Sequence, residues 1–426
     1  MKKVIAPAKK LIGEIVMPGD KSISHRALML AALAEGKSEI HHLSDCQDVK
    51  STVNCLRELG VEIRQEDNRT IVEGVGLDGL QAPAKTLDAG NSGTTMRLMA
   101  GILAGQKFGS RISGDASLRK RPMKRIINPL RDMGAKIEAD DDNFAPLSIE
   151  KSRLTGIEHR LPLASAQVKS CLLLAGMFAR GETVVEEPAF SRDHTERMLK
   201  HMGADISVNE RRVAIRSFSK LSGGILTIPG DISSASFFLA AAALLPGSEI
   251  RIKNVGINPT RIGILEALER MGATVNFENF FVQNNEEISD IIMKSQELNG
   301  IKIDGSLIPR IIDEIPIIAV IASQASGETI IRDAKELRVK ETDRITAVVE
   351  NLKKMGAEVT ELPDGMIIQG NQHLKTAKID SYGDHRIAMA FAVAGLVAEG
   401  ETEIDDAECV DISYPDFFRD LEKIYG

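Results

Sequence analysis

The sequence predicts an α/β protein assembled from six copies of one unit, and three observations lead there. The first is a recurring helix end that opens on leucine and runs through Gly into β-branched residues. It appears as LRELGVEI from Leu56 and LRDMGAKI from Leu130. Leu199, Leu268 and Leu352 open copies ending in MGADI, MGATV and MGAEV, and a truncated copy, LEKIYG, starts at Leu421. These leucines stand 74, 69, 69, 84 and 69 residues apart, a near-constant period that marks an internal repeat. The second observation is an apolar, helix-like stretch that closes at Gly36, Gly105, Gly181, Gly247, Gly327 and Gly400. Glycine ends a helix readily because it enters the left-handed region without a Cβ penalty. The third is alternation about a polar turn after each landmark, as in GADISVNERRVAIR and GAEVTELPDGMIIQ, the pattern of a hairpin.

Each unit therefore reads helix, strand, helix, strand, strand. The first helix runs through HRALMLAALAEG in the first copy and HRIAMAFAVAGLVAEG in the last. In chain order these helices start at PGDKSISHR, AGNSGTTMR, LASAQVKS, PGDISSAS, LIPRIIDEIP and SYGDHRIAM. The second helix, as in ITAVVENLKKMG, has apolar residues at helical spacing. Several second helices also start on charge, at LRKRPMKR, SRDHTERM, NPTRIG and RVKETDRI. Asp140, Asp141, Asp142 and Asn143 fall at a hairpin turn, where a solvated loop is expected because calcium-loop spacing is absent. Six such units could close one ring or form two groups of three. Periodicity leaves that open, although LTIPGDISSAS suggests a passage between groups near Thr227 to Gly230.

Composition narrows the function. A chain of 426 residues with 43% hydrophobic residues can bury a large aliphatic core. With no Trp, three Tyr and a formal charge of −8, it lacks the stacking aromatics and basic surface of a nucleic-acid binder. Cys46, Cys55, Cys171 and Cys409 form no CxxC pair and are expected to be reduced structural thiols. Pro7, Lys9 and Lys10 interrupt any signal-peptide core, and the apolar run Phe237 to Leu245 is too short to span a bilayer. The expected setting is cytoplasmic, with no membrane and no nucleic-acid partner, and the chain is expected to act as a monomer.

The charged helix starts carry the chemistry. Lys21, Ser22, Arg26, Asn91, Arg97, Arg121, Ser165, Gln167, Asp313, Lys340, Arg344, Asp384 and Arg386 all lie near helix N-termini. Ser, Asp and Asn there are ordinary caps. Lys and Arg are not, because the positive end of the helix dipole disfavours them. If equivalent helices point the same way, their N-termini and cations make a site for a multiply charged small anion. Gly74 to Gly79 matches GxGxxG, but LQAPAKT follows instead of a helix, so no dinucleotide site is expected. His41 and His42 lack neighbours at ligand spacing.

GDKSISHR, GNSGTTMR, RP at 121–122, SAQVKS, DE at 313–314, RVKETDR at 338–344 and GDHR at 383–386 together resemble the 5-enolpyruvylshikimate-3-phosphate synthase family. The resemblance runs over essentially the whole chain. It implies a two-lobed inside-out α/β barrel of six βαβαββ repeats, with residues 14–226 as one lobe and 1–13 plus 227–426 as the other. It implies ligands held where helix N-termini face one another. By the same resemblance Lys21, Ser22, Arg26, Ser165, Gln167, Asp313 and Lys340 hold shikimate 3-phosphate. Lys21, Gly93, Arg121, Gln167, Arg344 and Arg386 hold phosphoenolpyruvate, the arginines through their bidentate fork. Asp313, Lys21, Lys340 and Glu341 move the protons. The implied reaction transfers the enolpyruvyl group to the 5-hydroxyl of shikimate 3-phosphate and needs no metal or organic cofactor. Ala166 stands where many relatives have Ser, and residues 411–416, DISYPD, lack a Lys common before the C-terminal aromatic-Pro-Asp. Leu98 and SAQVKS resemble a divergent branch that often resists glyphosate. The paralogous transferase acting on UDP-N-acetylglucosamine is the nearest alternative. It usually starts its site with Lys-Asn and carries a Cys in its mobile loop, whereas here Ser22 follows Lys21 and residues 105–130 contain no Cys. An alternative of another class is a non-catalytic anion-binding repeat protein, in which Asp313 beside Lys340 and Glu341 would have no evident purpose.

Overall fold

The computed structural model describes residues 1–217 and 220–425. These form a mixed α/β structure with, among the described residues, five four-stranded sheets and one of three strands. The landmark glycines show why the repeat recurs. Gly60, Gly134, Gly203, Gly272 and Gly356 follow second helices and all have φ between 85° and 101°, where a side chain would be strained. At the other landmark Gly36, Gly181, Gly247 and Gly327 are left-handed, but Gly105 is not, with φ −86°. Its reason is space: a Cβ there would lie 2.3 Å from the Phe178 ring. Gly400 likewise lacks a positive φ, and a Cβ there would lie 2.5 Å from Thr376 Oγ1, so the expectation of one conformational role for all six glycines fails at Gly105 and Gly400.

One connection order recurs in the sheets. An outer strand pairs parallel with a central strand, which pairs antiparallel with one arm of a hairpin. In the second sheet these are Leu87–Asp88, Ser110–Ser113, and the hairpin Lys136–Asp140 and Phe144–Glu150. Two outer strands are exchanged. Ile12–Val16 precedes the Lys21–Leu33 helix but pairs with Glu249–Gly256, while Ile225–Thr227 precedes the Ile232–Leu244 helix but pairs with Glu35–His41. In the three-stranded sheet Lys3–Ile5 pairs with Thr402–Ile404.

The chain divides into two compact units. One comprises Met1–Pro18, Pro229–Val282 and Glu287–Gly426, and the other Gly19–Ile228 with Gln283–Glu286. Each has its own aliphatic core. The core of the second unit is built on the helices Lys21–Leu33, Gly93–Ala104 and Ala166–Gly176, and that of the first on Ile232–Leu244, Ile315–Gln324 and His385–Leu396. Nearly every residue of these helices is buried, which explains their Ala and Gly content: small residues let backbones approach. Gly101 is the tightest case, since a Cβ there would stand 2.2 Å from the Cys171 carbonyl oxygen. No helix among the described residues is long and apolar enough to cross a membrane. The Gly74–Gly79 segment ends a strand and enters a turn, with no helix after it.

Candidate active site

In the second unit the three buried helices begin on side-chain caps. Asp20 accepts the N–H of Ile23, Ser92 that of Thr95 and Ser165 that of Val168. Each cap satisfies one of the orphan donors of its helix. Lys21, the first residue of its helix, extends its ammonium to Asp48 Oδ2 at 2.9 Å. One turn on, Arg26 is buried. Its Nε donates to Thr195 Oγ1 at 2.6 Å, Nη2 to Ser170 Oγ at 2.8 Å, and Nη1 to the Ser22 carbonyl at 2.8 Å. Next to Thr195, Glu196 joins Glu187 in gripping the buried ammonium of Lys169, each at 2.6 Å. Burial opposes that charge, but the two carboxylates win and hold Lys169 above its ordinary value.

Gly93 opens its helix beside two guanidinium groups. A Cβ there would stand 2.8 Å from Arg97 Nη1 and 3.5 Å from Arg121 Nη1. Arg97 Nη1 donates to Gln167 Oε1 at 2.6 Å, Gln167 Nε2 donates to Thr94 at 3.1 Å, and Arg121 Nη2 donates to Asn91 at 2.6 Å. Gly93, Arg121 and Gln167 thus share one polar cluster, tied together by Arg97 and Asn91. Behind it runs a buried chain from His25 Nδ1 to Thr52, Thr95 and Ser92, with steps of 2.7, 2.7 and 2.8 Å. Burial, reinforced by Lys21 and Arg26, holds His25 well below its ordinary value, so the imidazole is neutral.

In the first unit Asp313, Lys340, Glu341, Arg344 and Arg386 form one network. Asp313 Oδ1 lies 3.4 Å from Lys340 Nζ and 3.3 Å from Arg344 Nη1, and its carbonyl accepts from Arg386 Nη1 at 3.0 Å. Arg344 is 1% exposed yet surrounded by carboxylates. Its Nε and Nη2 grip Asp384 at 2.7 and 3.2 Å, and Nη2 also reaches Glu341 at 2.6 Å. Burial works against its charge, but Asp384, Glu341 and Asp313 outweigh that and push it above its ordinary value. Asp384 also caps its own helix, accepting the N–H of Arg386.

The family is decided by the whole chain. A family model described as EPSP synthase (3-phosphoshikimate 1-carboxyvinyltransferase) matches residues 5–421. The chain belongs to the EPSP synthase family. It is 53% identical over 426 residues to a 3-phosphoshikimate 1-carboxyvinyltransferase of Desulforamulus reducens, covering 100% of this chain and 99% of that protein. A Brevibacillus brevis protein of the same name is 52% identical over 421 residues, with 99% of each chain covered. Among solved structures, an EPSP synthase from Acinetobacter baumannii superposes with a TM-score of 0.88 at 43% identity, covering 100% of this chain and 98% of that one.

For an EPSP synthase relative, one supporting residue, Asp48, is not marked in the sequence, and neither are the partners of Arg97 and Asp384. Asp48 holds Lys21, and Asp384 and Arg97 hold assigned residues in place. Arg97 and Asp384 were visible as polar residues at helix starts, but their partners lie 70 and 40 residues away. No local pattern announces such pairs.

Proposed function

We propose that the chain transfers the enolpyruvyl group of phosphoenolpyruvate to the 5-hydroxyl of shikimate 3-phosphate, releasing phosphate. The observation that carries this reading is Asp313, whose Oδ1 lies near both an ammonium and a guanidinium, in a chain of this family. Asp313 takes the 5-hydroxyl proton as the oxygen attacks C2 of phosphoenolpyruvate. C3 gains a proton from an acid among Lys21, Lys340 and Glu341. The tetrahedral adduct then loses phosphate as C3 gives up a proton and the enol re-forms. Paired carboxylate and lysine groups suit both directions of proton movement.

In this reading Lys21, Ser22, Arg26, Ser165 and Gln167 orient shikimate 3-phosphate, with Asp313 and Lys340 at its reacting hydroxyl. Gly93 gives phosphoenolpyruvate room beside Arg121, and Arg344 and Arg386 neutralise its charge. Clamping two anions in fixed register supplies orientation and charge stabilisation. We also read each compact unit as an inside-out α/β barrel of three repeats, a reading supported by its three buried helices and three sheets. The test is phosphate release from phosphoenolpyruvate, run with shikimate 3-phosphate and separately with UDP-N-acetylglucosamine. Release only with the first is expected. Release only with the second would overturn the substrate assignment.

A further inference from the structure

Glu314 breaks the rule that the other buried helices follow. Asp20, Ser92, Ser165, Asp231 and Asp384 each stand at a helix start and accept a backbone N–H of that helix. Glu314 stands at the start of Ile315–Gln324 and makes no such bond. Its side chain is 1% exposed. Oε1 accepts the hydroxyl of Ser233 and lies 3.7 Å from Arg386 Nη1, while Oε2 makes no hydrogen bond. Burying a carboxylate with one oxygen unpaired is costly. Arg386 is the one cation within 4 Å of it among the described residues.

Behind Glu314 stand two helix starts that carry no substrate contact in the reading above. Ser233, from PGDISSAS, accepts from Arg261 Nη2 at 2.7 Å, and that Nη2 lies 3.2 Å from Asp231 Oδ1. Arg261 comes from NPTRIG. A chain of Asp231, Arg261, the neutral Ser233 hydroxyl and Glu314 therefore ends on Arg386. Nη1 of Arg386 is fixed by the Asp313 carbonyl at 3.0 Å and faces Glu314. Its Nε and Nη2 make no hydrogen bond among the described residues, so the fork keeps donors for a ligand.

We infer that Glu314 is a positioning residue for phosphoenolpyruvate: it holds Arg386 from behind, and Ser233 with Arg261 holds Glu314. The inference rests on the enolpyruvyl-transfer reading. A guanidinium on a long side chain has many rotamers, and a buried counter-charge on one edge selects among them before the ligand arrives.

Two variants test this in steady-state kinetics, with melting temperature as a check on folding. E314Q keeps the shape and the acceptor for Ser233 but removes the charge. S233A keeps the charge and releases its anchor. E314Q is expected to raise KM for phosphoenolpyruvate about tenfold, and S233A about two- to fivefold, with KM for shikimate 3-phosphate within about twofold of wild type. Equal rises for both substrates would reveal a general structural role and overturn the inference. A lower KM for phosphoenolpyruvate in E314Q would also overturn it, since Glu314 would then act only as an opposing charge. A wild-type chain that releases no phosphate overturns the transferase reading and this inference with it. A wild-type chain that turns over, beside variants that keep its KM, overturns the inference alone.

Discussion

Replacing Arg344 with Lys keeps the charge and removes the planar fork, and the geometry sets what is lost. The guanidinium contacts Asp384 at 2.7 and 3.2 Å, Glu341 at 2.6 Å and Asp313 at 3.3 Å. One ammonium on a flexible stem can replace at most one of the two bonds to Asp384, and it cannot span all three carboxylates. At least two of the four contacts should go. Hydrogen bonds to charged groups contribute ~1.5–3 kcal/mol each, so R344K should lose at least roughly 3 kcal/mol. For a unit of this size that lowers the melting midpoint by roughly 6–12 °C. Calorimetry would measure the shift. Hydrogen exchange in Arg344–Lys354 and His385–Leu396 would assign it to the first unit, because two units need not melt as one. R344K should also weaken phosphoenolpyruvate by about 1.5–3 kcal/mol while shikimate 3-phosphate binds almost as before. A midpoint within about 2 °C of wild type would refute the stability reasoning, because the planar fork would then matter little.

Asp313→Ala should lower turnover by roughly two to four orders of magnitude, with shikimate 3-phosphate still binding by calorimetry; near wild-type turnover would remove Asp313 from proton transfer. Gly101→Ala forces a Cβ to within 2.2 Å of the Cys171 carbonyl oxygen. It should cost at least ~1–3 kcal/mol in urea titration, whereas an unchanged midpoint would mean that the helices part freely. His25 contributes a pH slope. Its folded pKa lies well below the ordinary value, so only the unfolded chain takes up a proton as pH falls through about 6.5. Stability should therefore drop by about 1 kcal/mol between pH 6.5 and pH 5.5 on this account. His25→Gln removes that contribution. A stability difference between wild type and H25Q that stays constant over this interval would contradict the assignment.

The elements most legible in the sequence are those fixed by local chemistry. ITAVVENLKKMG reads as a helix ending before a glycine, and the helix observed is Arg344–Lys354 with Gly356 left-handed. GADISVNERRVAIR gives the hairpin Ile206–Asn209 and Arg212–Arg216. LIPRIIDEIP was less legible: it folds as a short helix, Ile308–Ile311, before the long one begins at Ile315. The break leaves Asp313 and Glu314 in the link between the two helices, ahead of the long helix and off its buried body. Which sheet Ile12–Val16 joins cannot be read from its own residues, which look the same in either; the resemblance implied only that residues 1–13 go with 227–426. For the candidate site, residue types at helix starts announced an anion. The supports did not show, because Glu314 meets Ser233 across 81 residues and Glu187 meets Lys169 through tertiary packing alone.

The exchanged strands also set a schedule for synthesis. All three sheets of the second unit are drawn from residues 19–228, so those sheets can close once Ile225–Thr227 has emerged, before the unit's last piece, Gln283–Glu286, is made. Ile12–Val16 must wait for Glu249–Gly256, and Lys3–Ile5 for Thr402–Ile404. At ribosomal speeds of ~5–20 residues per second, the second wait lasts ~20–80 s. Throughout it Lys3–Ile5, bearing Val4, presents an unpaired edge, and Ile12–Val16 does so until Glu249–Gly256 is made; such edges recruit neighbouring chains. Lys2, Lys3, Lys9 and Lys10 stand within or beside these strands. Charge at such places discourages edge-to-edge pairing. The basic opening segment thus has a use before any substrate is met: it keeps the earliest strands from finding the wrong partner while the right one is still being made.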